Sequence, residues 1–226
     1  MVMAIIGING RMGKKLYEYY KEKFQIYGID IIESQDIEIY RKVKDIPNKI
    51  DVIVDFSSIN SKPELIYALE NNILVLSGTT GYTLDEIEEL ISLGKGRFFW
   101  SANYSKGIFL FSKLINITKE EFELFDFIEI HAATKKDHPS GTAVMLAKEL
   151  DIPIDRIQYL RIKQAPPIHE LIFSSKNERI SIRHEVIDTQ AFIEGFDKKL
   201  IEFLGEYYDK ENIWLWMFWL SKIHIW

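Results

Sequence analysis

The feature that most narrows the possible folds comes within the first thirteen residues. A short apolar run at residues 2–8 passes into three evenly spaced glycines, Gly7-Ile-Asn-Gly10-Arg-Met-Gly13. A helical pattern follows, with Leu16, Tyr19 and Tyr20 on one side and Lys14, Lys15 and Lys21 elsewhere. A strand, a glycine turn and a helix in that order form a receptor for a phosphorylated ligand. The turn needs positive φ, bare amides can approach a pyrophosphate, and the helix N-terminus adds partial positive charge. Gly7, Asn9, Gly10, Arg11, Met12 and Gly13 are therefore candidate nucleotide-binding residues. The spacing is G-x-x-G-x-x-G rather than the commoner G-x-G-x-x-G, so the flanking strand and helix carry the assignment. An ordinary glycine turn is the plainer alternative.

The rest of the N-terminal half repeats this alternation. Phe24–Ile32 reads as a second strand, and Asp51–Phe56 is a nearly continuous apolar run, as a buried parallel strand requires. Helix over Pro63–Glu70, strand over Ile73–Leu76, helix over Leu84–Leu93 and strand over Phe98–Trp100 complete the pattern. It predicts an α/β fold with a Rossmann-type doubly wound parallel sheet. The pattern then changes. A long amphipathic helix over Ile108–Phe122, a strand over Phe127–His131, a loop and helix over Pro139–Leu150, and β-rich stretches with little helix signal over 156–193 predict a second, smaller mixed α/β domain. The change of pattern places this second domain at about residues 104–194.

Asp30 lies near the end of the second predicted strand, 17 residues beyond Gly13. A carboxylate there can accept hydrogen bonds from the adenine ribose and repels a 2′-phosphate. This favours NADH, while Arg11 and Lys14 keep NADPH open; a solvated strand-end carboxylate is the plainer alternative for Asp30. The formal net charge of -6 argues against nucleic acid as a partner, yet allows a local cationic pocket for an anionic metabolite. The chain has no cysteine, which removes disulfides, thiolate zinc sites and cysteine nucleophiles, and fits a reducing, cytoplasmic compartment. The start, MVMAIIGING, has no basic segment before its apolar run and reads as a first strand rather than a signal peptide. The late apolar run Ile213–Leu220 is too short to span a bilayer, so no membrane association is expected.

Residues 128–150 read IEIHAATKKDHPSGTAVMLAKEL. Ser140-Gly141-Thr142 precede an apolar-periodic helix and offer amides and hydroxyls at its positive end, suited to a carboxylate. Pro139 fixes the entry, Lys135 adds charge nearby, and a simple Ser/Thr cap is the alternative. Here the chain resembles the dihydrodipicolinate reductase family, whose K-x-D-A-P-S-G-T-A segment is similar to Lys135–Ala143. Gly10-Arg-Met-Gly13, Asp55-Phe56-Ser57, Gly78-Thr79-Thr80-Gly81 and Ala102-Asn103-Tyr104-Ser105 with Gly107 are also in the family's form and order. The match is strong over residues 4 to about 150 and thinner afterwards, kept by Arg183-His184, Phe192 and Gly195.

The resemblance implies NAD(P)H-dependent reduction of 4-hydroxy-tetrahydrodipicolinate, a small dianionic heterocycle, in the diaminopimelate and lysine pathway. It implies His131 as proton donor with Lys135 assisting, and Ser140, Gly141 and Thr142 as substrate contacts. It adds Phe56, Ser57, Gly78, Thr79, Thr80, Ala102, Asn103 and Tyr104 to the cofactor site, although plain turn chemistry is the alternative for the 78–81 and 103–107 loops. It also implies that residues 1–103 with 195–226 bind the dinucleotide, that 104–194 serve substrate binding and oligomerisation, and that the protein is a homotetramer; no metal is required. The acid role suits the chemistry, since hydride addition to a conjugated carbon–nitrogen system builds negative charge and imidazole titrates near neutrality. A partly buried structural histidine is the alternative for His131.

The departures from the family pattern fall on the substrate side. The family's second histidine is Ala132, the alanine of its D-A-P is His138, an arginine expected after the later histidine is Thr189, and a glycine-rich stretch is replaced by Lys163-Gln-Ala-Pro166-Pro167. His138 could take part of the missing histidine's role. These changes leave two other readings open: a different imine or amino-acid dehydrogenase on the same architecture, and a nucleotide-binding protein that has lost catalysis. The aromatic segment Ile213-Trp-Leu-Trp-Met-Phe-Trp-Leu220 reads as a buried terminal helix or a subunit contact.

Overall fold

The computed structural model describes residues 1–34, 37–122 and 124–208. The aromatic segment at 213–220 lies outside the described residues. The chain divides into two compact units, Met1–Ser101 with Phe196–Trp226, and Ala102–Gly195.

The first unit alternates strand and helix: β1 (Val2–Ile6), α1 (Arg11–Tyr20), β2 (Gln25–Ile29), β3 (Ile39–Tyr40), β4 (Val52–Asp55), α2 (Lys62–Glu70), β5 (Leu74–Ser77), α3 (Leu84–Gly94) and β6 (Phe98–Trp100). The strands form one parallel sheet in the order β3-β2-β1-β4-β5-β6. This is the expected doubly wound fold. Its order reverses between β1 and β4, so the loops after these two strands leave the sheet at the switch point where such folds bind ligands. Apolar residues fill both faces of the central strands; Met3, Ala4 and Ile5 of β1 and Val52, Ile53 and Val54 of β4 are fully buried. Thr83 caps α3 through a reciprocal capping box with Glu86.

The second unit holds α4 (Lys106–Thr118), β7 (Leu124–Ala132), α5 (Gly141–Glu149), β8 (Gln158–Ile162), β9 (Ile168–Ser174) and β10 (Arg179–Glu185). Its sheet runs β10-β9-β7-β8, with β8 parallel to β7 and the other pairs antiparallel. Ile108, Phe111 and Ile115 of α4 join Ala143, Leu146 and Ala147 of α5 in a core with Phe127, Leu171 and Phe173 of the sheet. One face of the sheet therefore carries the helices. Ile128, Ile130, Leu160, Ile162 and Ile172 alternate onto the other face.

The helix expected to reach Phe122 ends at Thr118, β7 starts three residues before Phe127, and three further elements differ from the sequence-based expectation. The second strand is confined to Gln25–Ile29, and the two-residue β3 leaves no pattern to read. A last helix, α6 (Gln190–Tyr208), begins inside the stretch expected to be β-rich. Gly195 weakens its local helix signal, and packing requires that glycine, because a Cβ there would lie 1.7 Å from the Tyr104 carbonyl oxygen. Among the described residues no helix is long and apolar enough to cross a membrane.

Candidate active site

In the first unit the carboxyl ends of the central strands bring the expected nucleotide residues together. Gly7 has φ +77°, the left-handed conformation glycine adopts without strain, and its amide donates to the Ile29 carbonyl. Gly13 is fixed by contact: a Cβ there would meet the Gly7 carbonyl oxygen at 2.2 Å and Ile8 Cα at 2.6 Å. Gly10 is extended, not left-handed, and serves as the N-cap of α1 with no side chain bonded to the helix end. The first turn of α1 has no acidic residue, so its unpaired amides and dipole are open to an anion. Arg11 is exposed at the same end, and Met12 is partly buried beside it. These features fit the pyrophosphate of a nicotinamide dinucleotide.

Asp30 follows β2 directly and is tied to the glycine loop. Its carboxylate accepts from the Asn9 amide at 3.0 Å and the Ile32 amide at 3.1 Å, while the Asn9 side chain donates to the Ile32 carbonyl at 2.8 Å. Arg41, just past β3, donates to the Asp30 carbonyl at 3.2 Å and pairs with Glu33 at 2.7 Å. This guanidinium at the strand end was not evident from sequence because β3 itself was not.

The loops after β4 and β5 are joined through a buried carboxylate. Asp55 is fully buried and accepts from Ser77 at 2.8 Å, from Ser61 at 3.2 Å and from Ser57. Burial raises its pKa, against the lowering effect of hydrogen bonds from these hydroxyls. The Ser57 amide donates to Thr79 Oγ1 at 2.9 Å, the Gly78 amide to the Asp55 carbonyl at 2.8 Å, and Trp100 Nε1 to the Thr79 carbonyl at 2.8 Å. Gly78 lies against Phe56, where a Cβ would come within 2.1 Å of the ring. Thr80 is exposed next to them.

Ala102, Asn103 and Tyr104 belong to the second unit. Asn103 accepts from the Ser105 amide at 2.9 Å and donates to Thr142 Oγ1 at 3.3 Å, and the Tyr104 side chain is buried.

The strand registers of the second unit gather a polar cluster. Phe127 of β7 faces the helices, so Glu129 and His131, two and four residues on, share that face. The register sets His169 opposite Glu129, His184 opposite His169, and Arg161 beside His131. Glu129 is fully buried; Arg161 Nη2 donates to its carboxylate at 2.8 Å and the Ser140 amide at 3.0 Å. His131 is 6 % exposed, and its Nδ1 lies 3.6 Å from a Glu129 oxygen. The His131 and His169 rings meet edge-on with centroids 5.3 Å apart. His169 Nε2 lies 3.3 Å from Ser140 Oγ, which also caps α5 by accepting from the Ala143 amide at 3.2 Å.

Burial lowers the pKa of all three histidines. For His131, Lys135 and Arg161 lower it further and Glu129 opposes them. His169 is pushed down to about 3 by burial, then by the charges of its neighbours. His184, 3.5 Å from Ser105 Oγ, is lowered by burial alone. Lys135 pairs with Asp137 at 2.8 Å. Burial raises the Asp137 pKa, but the hydrogen bond and charge of Lys135 outweigh it and the net shift is downward. The His138 ring lies against Tyr159 at a tilt of 31°, with centroids 4.9 Å apart, and His138 is followed by a cis bond to Pro139.

Sequence reading missed Glu129, Arg161 and His169. The alternation in Phe127-Ile-Glu-Ile-His131 was the available signal for Glu129; the other two depend on strand pairings. Glu129, His131 and His169 each place a ligand-capable atom within 4.8 Å of the others. The Arg161 guanidinium already occupies Glu129 and opposes a second cation there.

Comparison with known proteins covers both units. The family model described as "Dihydrodipicolinate reductase, N-terminus" matches residues 1–104, and the one described as "Dihydrodipicolinate reductase, C-terminus" matches residues 107–212. The chain belongs to the dihydrodipicolinate reductase family. It is accordingly an oxidoreductase. A 4-hydroxy-tetrahydrodipicolinate reductase of Rickettsia canadensis is 31% identical over 88% of this chain and 91% of its own length. One from Caldanaerobacter subterraneus is 29% identical over 91% and 94%. A dipicolinate-bound dihydrodipicolinate reductase from Paenisporosarcina sp. TG-14 shares the fold at TM-score 0.70 and 19% identity, covering 87% of this chain and 92% of that one. Aspartate dehydrogenase from Thermotoga maritima shares the fold at TM-score 0.61 and 16% identity, over 95% and 99%.

Proposed function

We propose that this protein reduces 4-hydroxy-tetrahydrodipicolinate to tetrahydrodipicolinate, with NADH or NADPH as donor, in the diaminopimelate and lysine pathway; the 4-hydroxyl leaves as water, and hydride and proton add to the conjugated ring that results. The observation that carries the reading is that the family match spans both the glycine loop and the His131 cluster.

The bound nicotinamide supplies the hydride. The chain would hold it through Gly7, Asn9, Gly10, Arg11, Met12 and Gly13, with Asp30 suited to a ribose and the Phe56–Ser57 and Gly78–Thr80 loops as further contacts; Ala102–Tyr104 are assigned to the same cofactor. Arg11 and Arg41 supply cations that would suit a 2′-phosphate, while Asp30 suits a free ribose, so both cofactors are compatible.

His131 donates the proton that neutralises charge building on the ring nitrogen system, with Lys135 assisting. Glu129 already holds the Ser140 amide, so a substrate carboxylate falls to the amides of Gly141 and Thr142 and to the hydroxyls of Ser140 and Thr142. No step needs a metal.

Assembly as a homotetramer through the second unit's sheet is part of the proposal. It is supported by the face that carries no helix among the described residues, where Leu160 is 52% and Ile162 47% exposed. A cytoplasmic location accompanies it, consistent with the cysteine-free composition.

The test generates substrate in place with a synthase from pyruvate and aspartate semialdehyde and follows the reduced nicotinamide absorbance. Oxidation that depends on both synthase substrates supports the reading. Turnover of another imino acid with none of this substrate would replace it with a different imine or amino-acid dehydrogenase, and cofactor binding without any turnover would leave a nucleotide-binding protein.

A further inference from the structure

His131 has its Nδ1 buried without a hydrogen-bond partner, and the group facing that nitrogen is the Glu129 carboxylate, 3.6 Å away. Glu129 also accepts the Ser140 amide at the head of α5 and the Arg161 guanidinium. One carboxylate thus faces the proposed acid, the proposed carboxylate receptor and a half-buried cation. We infer that Glu129 is a positioning residue: it orients the His131 ring through Nδ1 and links it to the α5 cap, leaving Nε2 to deliver the proton. The inference rests on the reductase reading for its catalytic meaning.

The proton balance follows from this orientation. Imidazolium carries N–H on both nitrogens. The Nε2–H bond breaks as a bond to hydrogen forms on the reduced substrate, and the ring is left neutral with its remaining proton on Nδ1. A carboxylate facing Nδ1 stabilises both the cation before transfer and that tautomer after it. His131 sits beside a fixed set of charges: Glu129 on its own strand, Lys135 and Asp137 on the following loop, and Arg161 on β8. His169 on β9 completes the set and is kept neutral by burial. Glu129 raises the proton affinity of His131, whereas Arg161 and Lys135 lower it.

The two partners in the Glu129–Arg161 pair should therefore act with opposite sign. A general acid is active below its pKa, so activity falls on the alkaline side. Glu129→Gln should move that fall to lower pH and reduce kcat by ~10-fold or more, with KM for the cofactor unchanged. Arg161→Gln should move the fall to higher pH. A purely structural role would lower kcat in both variants and move neither limb, and that outcome overturns the inference. The second measurement needs neither variant nor turnover. Nitrogen NMR of the His131 ring in wild-type protein should show the proton of the neutral form on Nδ1, and a proton on Nε2 overturns the inference. Because the tautomer is read without substrate, a wild type that failed to turn over would sink the reductase reading while leaving this result to stand or fall separately.

Discussion

His169 makes the protein sensitive to acid in a way that can be calculated. Its side chain is almost wholly enclosed, with Phe127 and His131 against its ring and Ser140 on Nε2. Burial, then neighbouring charge, pushes its pKa down to about 3 from 6.5. The folded state thus keeps the ring neutral over a range in which the unfolded chain protonates it. Between these two values the unfolded state binds the extra proton, so stability is complete above about pH 6.5 and declines as pH falls toward about 3. Each pH unit within that window costs about 1.4 kcal/mol for one proton. Lowering the pH from about 7 to about 5 should therefore remove about 2 kcal/mol through this residue.

The perturbation is His169→Gln, which leaves a polar side chain near Ser140 but no titration in that window. Urea unfolding of both proteins at the two pH values gives a difference of differences from which any general loss of packing cancels. The variant should be less stable at neutral pH yet lose about 2 kcal/mol less than wild type on acidification. An equal loss in both proteins would refute the argument, because it would mean that His169 takes up no proton on unfolding.

The other predictions test the glycine loop and a helix end. Gly13→Ala places a Cβ 2.2 Å from the Gly7 carbonyl oxygen, which is backbone and cannot swing aside, so the loop must shift. NADH affinity, measured by fluorescence titration, should fall by ~10-fold or more, at an overpacking cost of about 1–3 kcal/mol; wild-type affinity would contradict the close approach. Thr83→Ala removes the capping box of α3 and should cost about 1 kcal/mol in urea unfolding, with no effect on cofactor affinity. An unchanged midpoint would show that the cap adds nothing.

Much of the first unit was legible in the sequence because its signals are local. Apolar runs such as Val52–Asp55 and the Gly7–Gly13 turn carry strand, turn and helix within a few residues. Arg41 was missed because the two-residue β3 that places it leaves no periodicity. The second unit was less legible for a different reason. His131 and Ser140 lie within one continuous motif, so sequence brought them forward together. Glu129, Arg161 and His169 meet only through the registers β7–β8 and β7–β9, and register between strands separated by 30 to 40 residues is fixed by packing of the whole sheet. The start of α6 was hidden because Gly195, needed against the Tyr104 carbonyl, interrupts its helical propensity.

The most direct test of the central claim follows the reduced nicotinamide absorbance with substrate formed in place, using NADH and NADPH in parallel, on wild type and on His131→Ala. The reductase reading predicts oxidation by wild type, a rate lower by ~10²-fold or more in the variant, and cofactor affinity equal in the two. No oxidation by wild type with either cofactor, despite measurable NADH binding, would contradict the substrate assignment. Equal rates in the two proteins would contradict the role of His131.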